Sequence, residues 1–269
     1  VALGLVLAVA VAVHAEPGLE RQAGHVAELA ARALDAIEAD LEGLPRLARV
    51  EVRLVKHAED IPGAPAWAVG TADPRAGVVF VAARSRDGDL VDIDRTLAHE
   101  LAHMALERAV GPVPRWLTEG FAYLHAPEVS LARAATLTGA VIARRVVPLE
   151  RLDETFPARE DAAALAYAEA YDFVAFLAGR GRWPFHNFLA ELARGSSLDG
   201  AARAAFGRRF VDLEAEWLAS VRERYLFYPF ALGGASLWAG GAVLLVLGWR
   251  RRRRQARAIL AQWERDEVQ

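Results

Sequence analysis

The chain has 269 residues, 54% of them apolar, and a formal charge of −3. It contains no cysteine, which excludes a disulfide framework, a thiolate-bound metal and a cysteine nucleophile. Residues 250–269 hold seven arginines against three acids, so the main body is the more acidic part, and that argues against nucleic acid as a partner.

Val1 to Val13 is an uncharged run of small and aliphatic residues. Its length suits the apolar region of a signal peptide, with Val13-x-Ala15 as a small-residue cleavage site, so residues 1–15 are expected to be a signal peptide or an N-terminal membrane segment. Leu19 to Leu41 brings Val26, Leu29, Ala30, Ala33, Leu34 and Ile37 onto one face at helical spacing and predicts an amphipathic helix packed on the domain. Val50 to Lys56 alternates and predicts a strand with one wet face. Trp67–Thr71 and Gly77–Ala83 predict two further strands, with Asp73-Pro-Arg-Ala-Gly77 as the turn between them.

Thr96-Leu-Ala-His99-Glu100-Leu-Ala-His103-Met-Ala-Leu-Glu has no Gly or Pro and is apolar around its histidines, which predicts a buried helix, capped by Asp92 or Asp94. On it, His99 and His103 are four residues apart and share a face. Two imidazole nitrogens in that relation can reach one tetrahedral zinc at about 2.0–2.1 Å. Glu100 lies roughly 100° further around the helix, at the 3.6-residue period, beside such a metal without ligating it. HExxH with that division of labour is the metalloprotease motif. Gly111-Pro-Val-Pro114 breaks the helix, and a second helix from Pro114 or Arg115 carries Glu119 back towards the histidines. Two His and one Glu, with a fourth position left to water, make the ligand set of a catalytic zinc.

Trp116 reads as a core anchor. From Leu131 onward the pattern is helical, with breaks at Val146-Val-Pro148 and Phe156-Pro157, a helix over Ala162–Leu177 and further helical stretches over 185–192 and 198–224. His186 has no partner in sequence and reads as structural. Pro229 to Trp249 is 21 residues without a charge, enough to span a bilayer. Aromatic residues flank it, and Arg250–Arg254 fix that end in the cytoplasm. The expected organisation is a domain over 16–226, a transmembrane helix over 227–249 and a basic cytoplasmic tail over 250–269, with the main body outside the cytoplasm.

HELAH followed by PRWLTEGFAYL resembles the gluzincin metallopeptidases, in particular the peptidase MA-like domain family with its HExxH and downstream W-L-x-E-G. The likeness runs from about Val50 to Tyr225 and includes Val147–Leu152, Ala166–Tyr171 and Ala205–Trp217. It implies an α+β, zincin-like fold: a small mixed sheet over the HExxH helix, then a helical C-terminal half. It implies His99, His103 and Glu119 as Zn2+ ligands, Glu100 as general base, and Tyr167, with Tyr171 as runner-up, as the phenol that steadies an oxyanion, a packed core tyrosine being the alternative for either. It further implies that an edge strand holds substrate, for which Gly77–Ala83 is the candidate, a core strand being the alternative. The chain departs from the family where thermolysin has an acid four residues past the third ligand; here that position is Tyr123. His125 does not fit the pattern as a ligand. The expected activity is hydrolysis of peptide or protein substrates by a membrane-anchored zinc endopeptidase; the alternative is a catalytically silent peptidase-fold protein that binds a partner, including one within a membrane complex.

Overall fold

The alternating stretch around Val50 becomes the centre of a four-stranded sheet. A computed structural model of the chain describes residues 9–65, 67–126, 131–155, 160–232, 240–247 and 249–253, the backbone alone at 153–155, 160–162 and 226–232. The strands are β1 (Ala10–Ala15), β2 (Arg49–His57), β3 (Gly70–Asp73) and β4 (Val78–Arg84), in the order β1-β2-β4-β3. β1 and β4 run parallel to β2, and β3 runs antiparallel to β4 at the edge. Two compact units divide the chain at Ala219 and Ser220.

In the first unit, one face of the sheet is covered by α1 (Glu20–Asp40) and α2 (Ile93–Val110). Side chains alternate along a strand, so Val50, Val52 and Leu54 of β2 fall on the same face as Val79 and Val81 of β4, and all five are buried. Val26, Ala30, Leu34 and Ile37 of α1 are buried at helical spacing, as their periodicity predicts. Val55 and Ala82 pack on the other face with Ala58 and Ile61. The helical half follows as α3 (Arg115–His125), α4 (Leu131–Ile142), α5 (Leu149–Thr155), α6 (Glu160–Ala178), α7 (Arg182–Ala193), α8 (Leu198–Phe206) and α9 (Phe210–Leu232). Gly207, at φ +67°, separates α8 from α9 within the stretch read as one helical region. The whole is an α+β arrangement of a small mixed sheet and mostly helices.

The sheet begins at Ala10, inside the stretch expected to be a leader or membrane segment; Val11 and Val13 are β-branched residues that suit a strand as well as an apolar leader. Of the two readings of Gly77–Ala83 the core strand holds: it is the inner strand β4, while β3, which follows Trp67, lies at the edge of the sheet beside it. In the second unit, the described residues 220–232, 240–247 and 249–253 are helical. The expected membrane segment, 227–249, includes residues 233–239 and 248, which lie outside the described residues. Among the described residues no helix is long and apolar enough to cross a membrane.

Candidate active site

Asp92 opens α2: its Oδ1 accepts the Arg95 N–H at 3.1 Å, satisfying a backbone donor that the first turn leaves unpaired. Leu97, Leu101, Met104 and Leu106 are fully buried and hold the helix under the sheet. Gly111, at φ +85°, ends it, and its N–H closes on the Glu107 carbonyl at 3.0 Å. Proline at the N-cap of α3 then starts the returning helix. Trp116 is buried against Phe173 and Phe210. Gly120 lets α3 lie directly on α6: a Cβ there would stand 2.5 Å from Val174 Cγ2 and closer still to the Ala170 carbonyl oxygen.

That packing brings Glu119 to the histidines. The Nε2 atoms of His99 and His103 are 3.0 Å apart, and Glu119 Oε2 lies 3.6 Å from the first and 3.5 Å from the second. A tetrahedral zinc with bonds of about 2.0–2.1 Å needs ligand atoms separated by about 3.3–3.4 Å, so the three atoms already outline one face of such a site. Among the described residues they form the only group of three that could hold a metal in this way. The donor set fits zinc: two imidazoles and a carboxylate, with one side open to the cleft.

For Glu119 and His99 the electrostatics of the protein groups alone agree with the geometry. Burial pushes the Glu119 carboxyl up, but hydrogen bonds with His103 and His99 outweigh it and hold the group far below the usual carboxylate range. Glu119 therefore stays ionised, the state in which a carboxylate can bind a metal. Burial lowers His99, favouring the neutral ring. Burial also acts to lower His103, but the Glu119 hydrogen bond and the Glu119 and Glu100 charges raise it. Glu100 is pushed up to about 7, chiefly by burial.

β3 stands on this helix. Gly70 pairs with Val81, whose side chain is on the helix-facing side, and a Cβ at Gly70 would come within 2.5 Å of Thr96 Cγ2 and 3.2 Å of the Glu100 side chain. Only hydrogen fits there. The Ala82 N–H donates to the Val69 carbonyl at 2.9 Å. By the alternation of antiparallel pairing, Gly70 and Ala72 then turn their own N–H and C=O groups away from the sheet. The cleft below has two lobes. One, of about 390 Å³, is bounded by Trp67, Val69, Leu90, Val91, Arg95 and Tyr123 and reaches His99 and Glu100. The other, of about 300 Å³, is bounded by Thr71, His103, Arg115, Glu119 and Tyr167.

Tyr167 thus lines the cleft, hydrogen-bonded to Arg115. Tyr171 does not line either lobe; the Arg133 guanidinium lies 4.2 Å from its ring centre. His125 lies apart from the ligands, its Nε2 3.3 Å from Asp40 Oδ2, and His186 Nδ1 donates to the Asp40 carbonyl at 3.1 Å. Four contributors go beyond the sequence reading. Arg115 contacts Glu119 Oε1 at 3.4 Å, and its position four residues earlier on one helix is the available signal. Tyr123, four residues after Glu119, faces the cleft by the same spacing. Gly70 and Leu90 give no local signal.

Comparison with known families places this geometry. The sequence profile of the Peptidase MA superfamily matches residues 46–223, and the chain belongs to that superfamily. Among curated proteins, none matches it.

Proposed function

We propose that the chain is a zinc-dependent metallopeptidase of the gluzincin type with a zincin-like fold, acting on extended peptides outside the cytoplasm. The observation that carries the reading is the triangle of His99 Nε2, His103 Nε2 and Glu119 Oε2, with the buried carboxyl of Glu100 beside it. When bound, zinc supplies Lewis acidity, acidifying water and polarising a carbonyl. Glu100 takes the proton of the attacking water on its carboxylate and returns it to the leaving amine nitrogen. A carboxyl poised near neutrality suits both transfers. Tyr167, supported by Arg115, donates to the oxygen on which negative charge develops.

The outward N–H and C=O groups of Gly70 and Ala72 offer a substrate the pairing of an added strand. That mode suits an internal stretch of chain and so favours an endopeptidase. Trp67 is 71% exposed and Leu90 80% exposed at the rim of the larger lobe; both would be covered by a bulky apolar side chain of the substrate.

A membrane span completes the proposal. Val243 to Leu247 are consecutive and each at least 50% exposed. Successive helical residues point about 100° apart, so these five exposed apolar side chains are spread around the helix, which supports reading the stretch as lipid-facing.

The test is metal content and cleavage of a quenched peptide library, for the wild type, Glu100→Gln and Glu119→Ala. Glu100→Gln is expected to keep one zinc and to lose at least about a hundredfold in rate, the scale of a general base. Glu119→Ala is expected to lose the metal. Wild-type cleavage by Glu100→Gln would sink the mechanism. Zinc without cleavage in the wild type would favour the partner-binding alternative.

A further inference from the structure

A metal-bound histidine is ordinarily held in place through its second nitrogen, by a carboxylate or a carbonyl. His99 is not held that way. Its Nε2 faces His103 and Glu119, which turns Nδ1 away from them, and among the described residues no group hydrogen-bonds that Nδ1. The ring instead meets Tyr123, with centroids 4.6 Å apart and planes at 66°, an edge-to-face contact of the favourable kind.

Tyr123 is itself gripped. The Arg133 guanidinium of α4 lies 5.1 Å from its ring centre and 4.2 Å from that of Tyr171 on α6, bridging the two rings. Arg95, one turn before His99 on α2, lies 5.9 Å from the same ring. Both are within cation–π range. Tyr123 also meets Tyr167 edge-on at 5.7 Å. One ring therefore touches the first histidine, the cleft phenol and cations from two other helices.

We propose that Tyr123 is the positioning residue of His99, orienting the imidazole through ring contact where a carboxylate would otherwise do so through a hydrogen bond, and that Arg133 fixes Tyr123. This rests on reading His99 as a zinc ligand. The contact needs the ring and not the hydroxyl, because it is the ring that meets His99. Arg133 reaches His99 through Tyr123, so the effect of its removal on the His99 site is expected only while the ring is present.

The experiment measures the zinc dissociation constant of the full chain by chelator competition and the visible spectrum of the Co2+-loaded chain, which reports ligand geometry. Tyr123→Leu is expected to bind zinc about tenfold more weakly, the lower end of what such supporting residues contribute, and to shift the Co2+ bands. Tyr123→Phe is expected to stay within about twofold, with an unshifted spectrum, since it keeps the ring. Arg133→Met is expected to weaken zinc in the wild-type background and to have no effect in Tyr123→Leu. Wild-type affinity in Tyr123→Leu, or an equal effect of Arg133→Met in both backgrounds, would overturn the proposal. If Tyr123→Leu does not fold, Arg133→Met alone decides: unchanged affinity and spectrum overturn it. A wild-type chain that binds no zinc removes the ligand reading itself, a result distinct from a tight site indifferent to Tyr123.

Discussion

Glu169 sits fully buried on α6, one of its oxygens accepting the Val147 N–H at 3.1 Å and the other without a hydrogen-bond partner among the described residues. Burial pushes its carboxyl up to about 8 from the usual 4.5. Between those values the folded protein holds a proton that the unfolded chain has released, so stability falls as pH rises through the window. One such group contributes a slope of roughly 1.4 kcal/mol per pH unit. Glu100, raised to about 7, adds a slope of the same sign below that pH. In Glu169→Gln, which keeps the acceptor for Val147, the fall in urea midpoint from pH 6 to pH 8 is expected to be clearly smaller than in the wild type; an equal fall would mean that Glu169 is ionised in the fold. At this scale the chemistry is partly legible in the sequence. His99, Glu100 and His103 declare themselves by spacing along one helix, and Glu119 by the reversal after Gly111. Tyr123, Arg133 and Glu169 act through contacts between separate elements, which spacing along one helix does not encode.

Gly120 decides how two elements meet. A methyl at this position would strike the Ala170 carbonyl oxygen, which the backbone of α6 holds fixed, and Val174. Gly120→Ala is therefore expected to force α3 off α6, costing about 1–3 kcal/mol as overpacking does, and to weaken zinc because Glu119 is its neighbour. A methyl added at Gly139 in α4 would meet nothing within 4 Å, and Gly139→Ala is expected to gain up to about 1 kcal/mol from helix propensity. Urea unfolding of the two variants checks both signs; a neutral Gly120→Ala would show that the helices are not in this contact. The elements themselves are legible where periodicity is strong, as in α1 and β2. β1 is not, because a short apolar run satisfies a leader and a strand equally. The edge strand is easily confused with its neighbour because strand order depends on pairing partners, and alternation within one strand carries no information about them.

For the molecule as a whole, the proposed span and arginine-rich tail predict a definite topology. The full chain is expected in the membrane fraction, resistant to alkaline carbonate. Protease added from outside should digest the main body while sparing a tag placed after Gln269. Release by carbonate, or loss of the tag in intact cells, would contradict the anchor. The run from Pro229 is legible as a length without charge. What the sequence alone does not convey is the exposure of the described residues Val243–Leu247.

The order of the site along the chain has a consequence for biosynthesis. His99, Glu100, His103 and Glu119 all leave the ribosome before the elements that shape their surroundings: α4 with Arg133, and α6 with Tyr167, Tyr171 and the surface that receives Gly120. A nascent or prematurely ended chain can thus present every ligand without the frame that orients them. On the zinc proposal, tight retention of the ion is expected only of the completed polypeptide, and would record that the later helices have arrived.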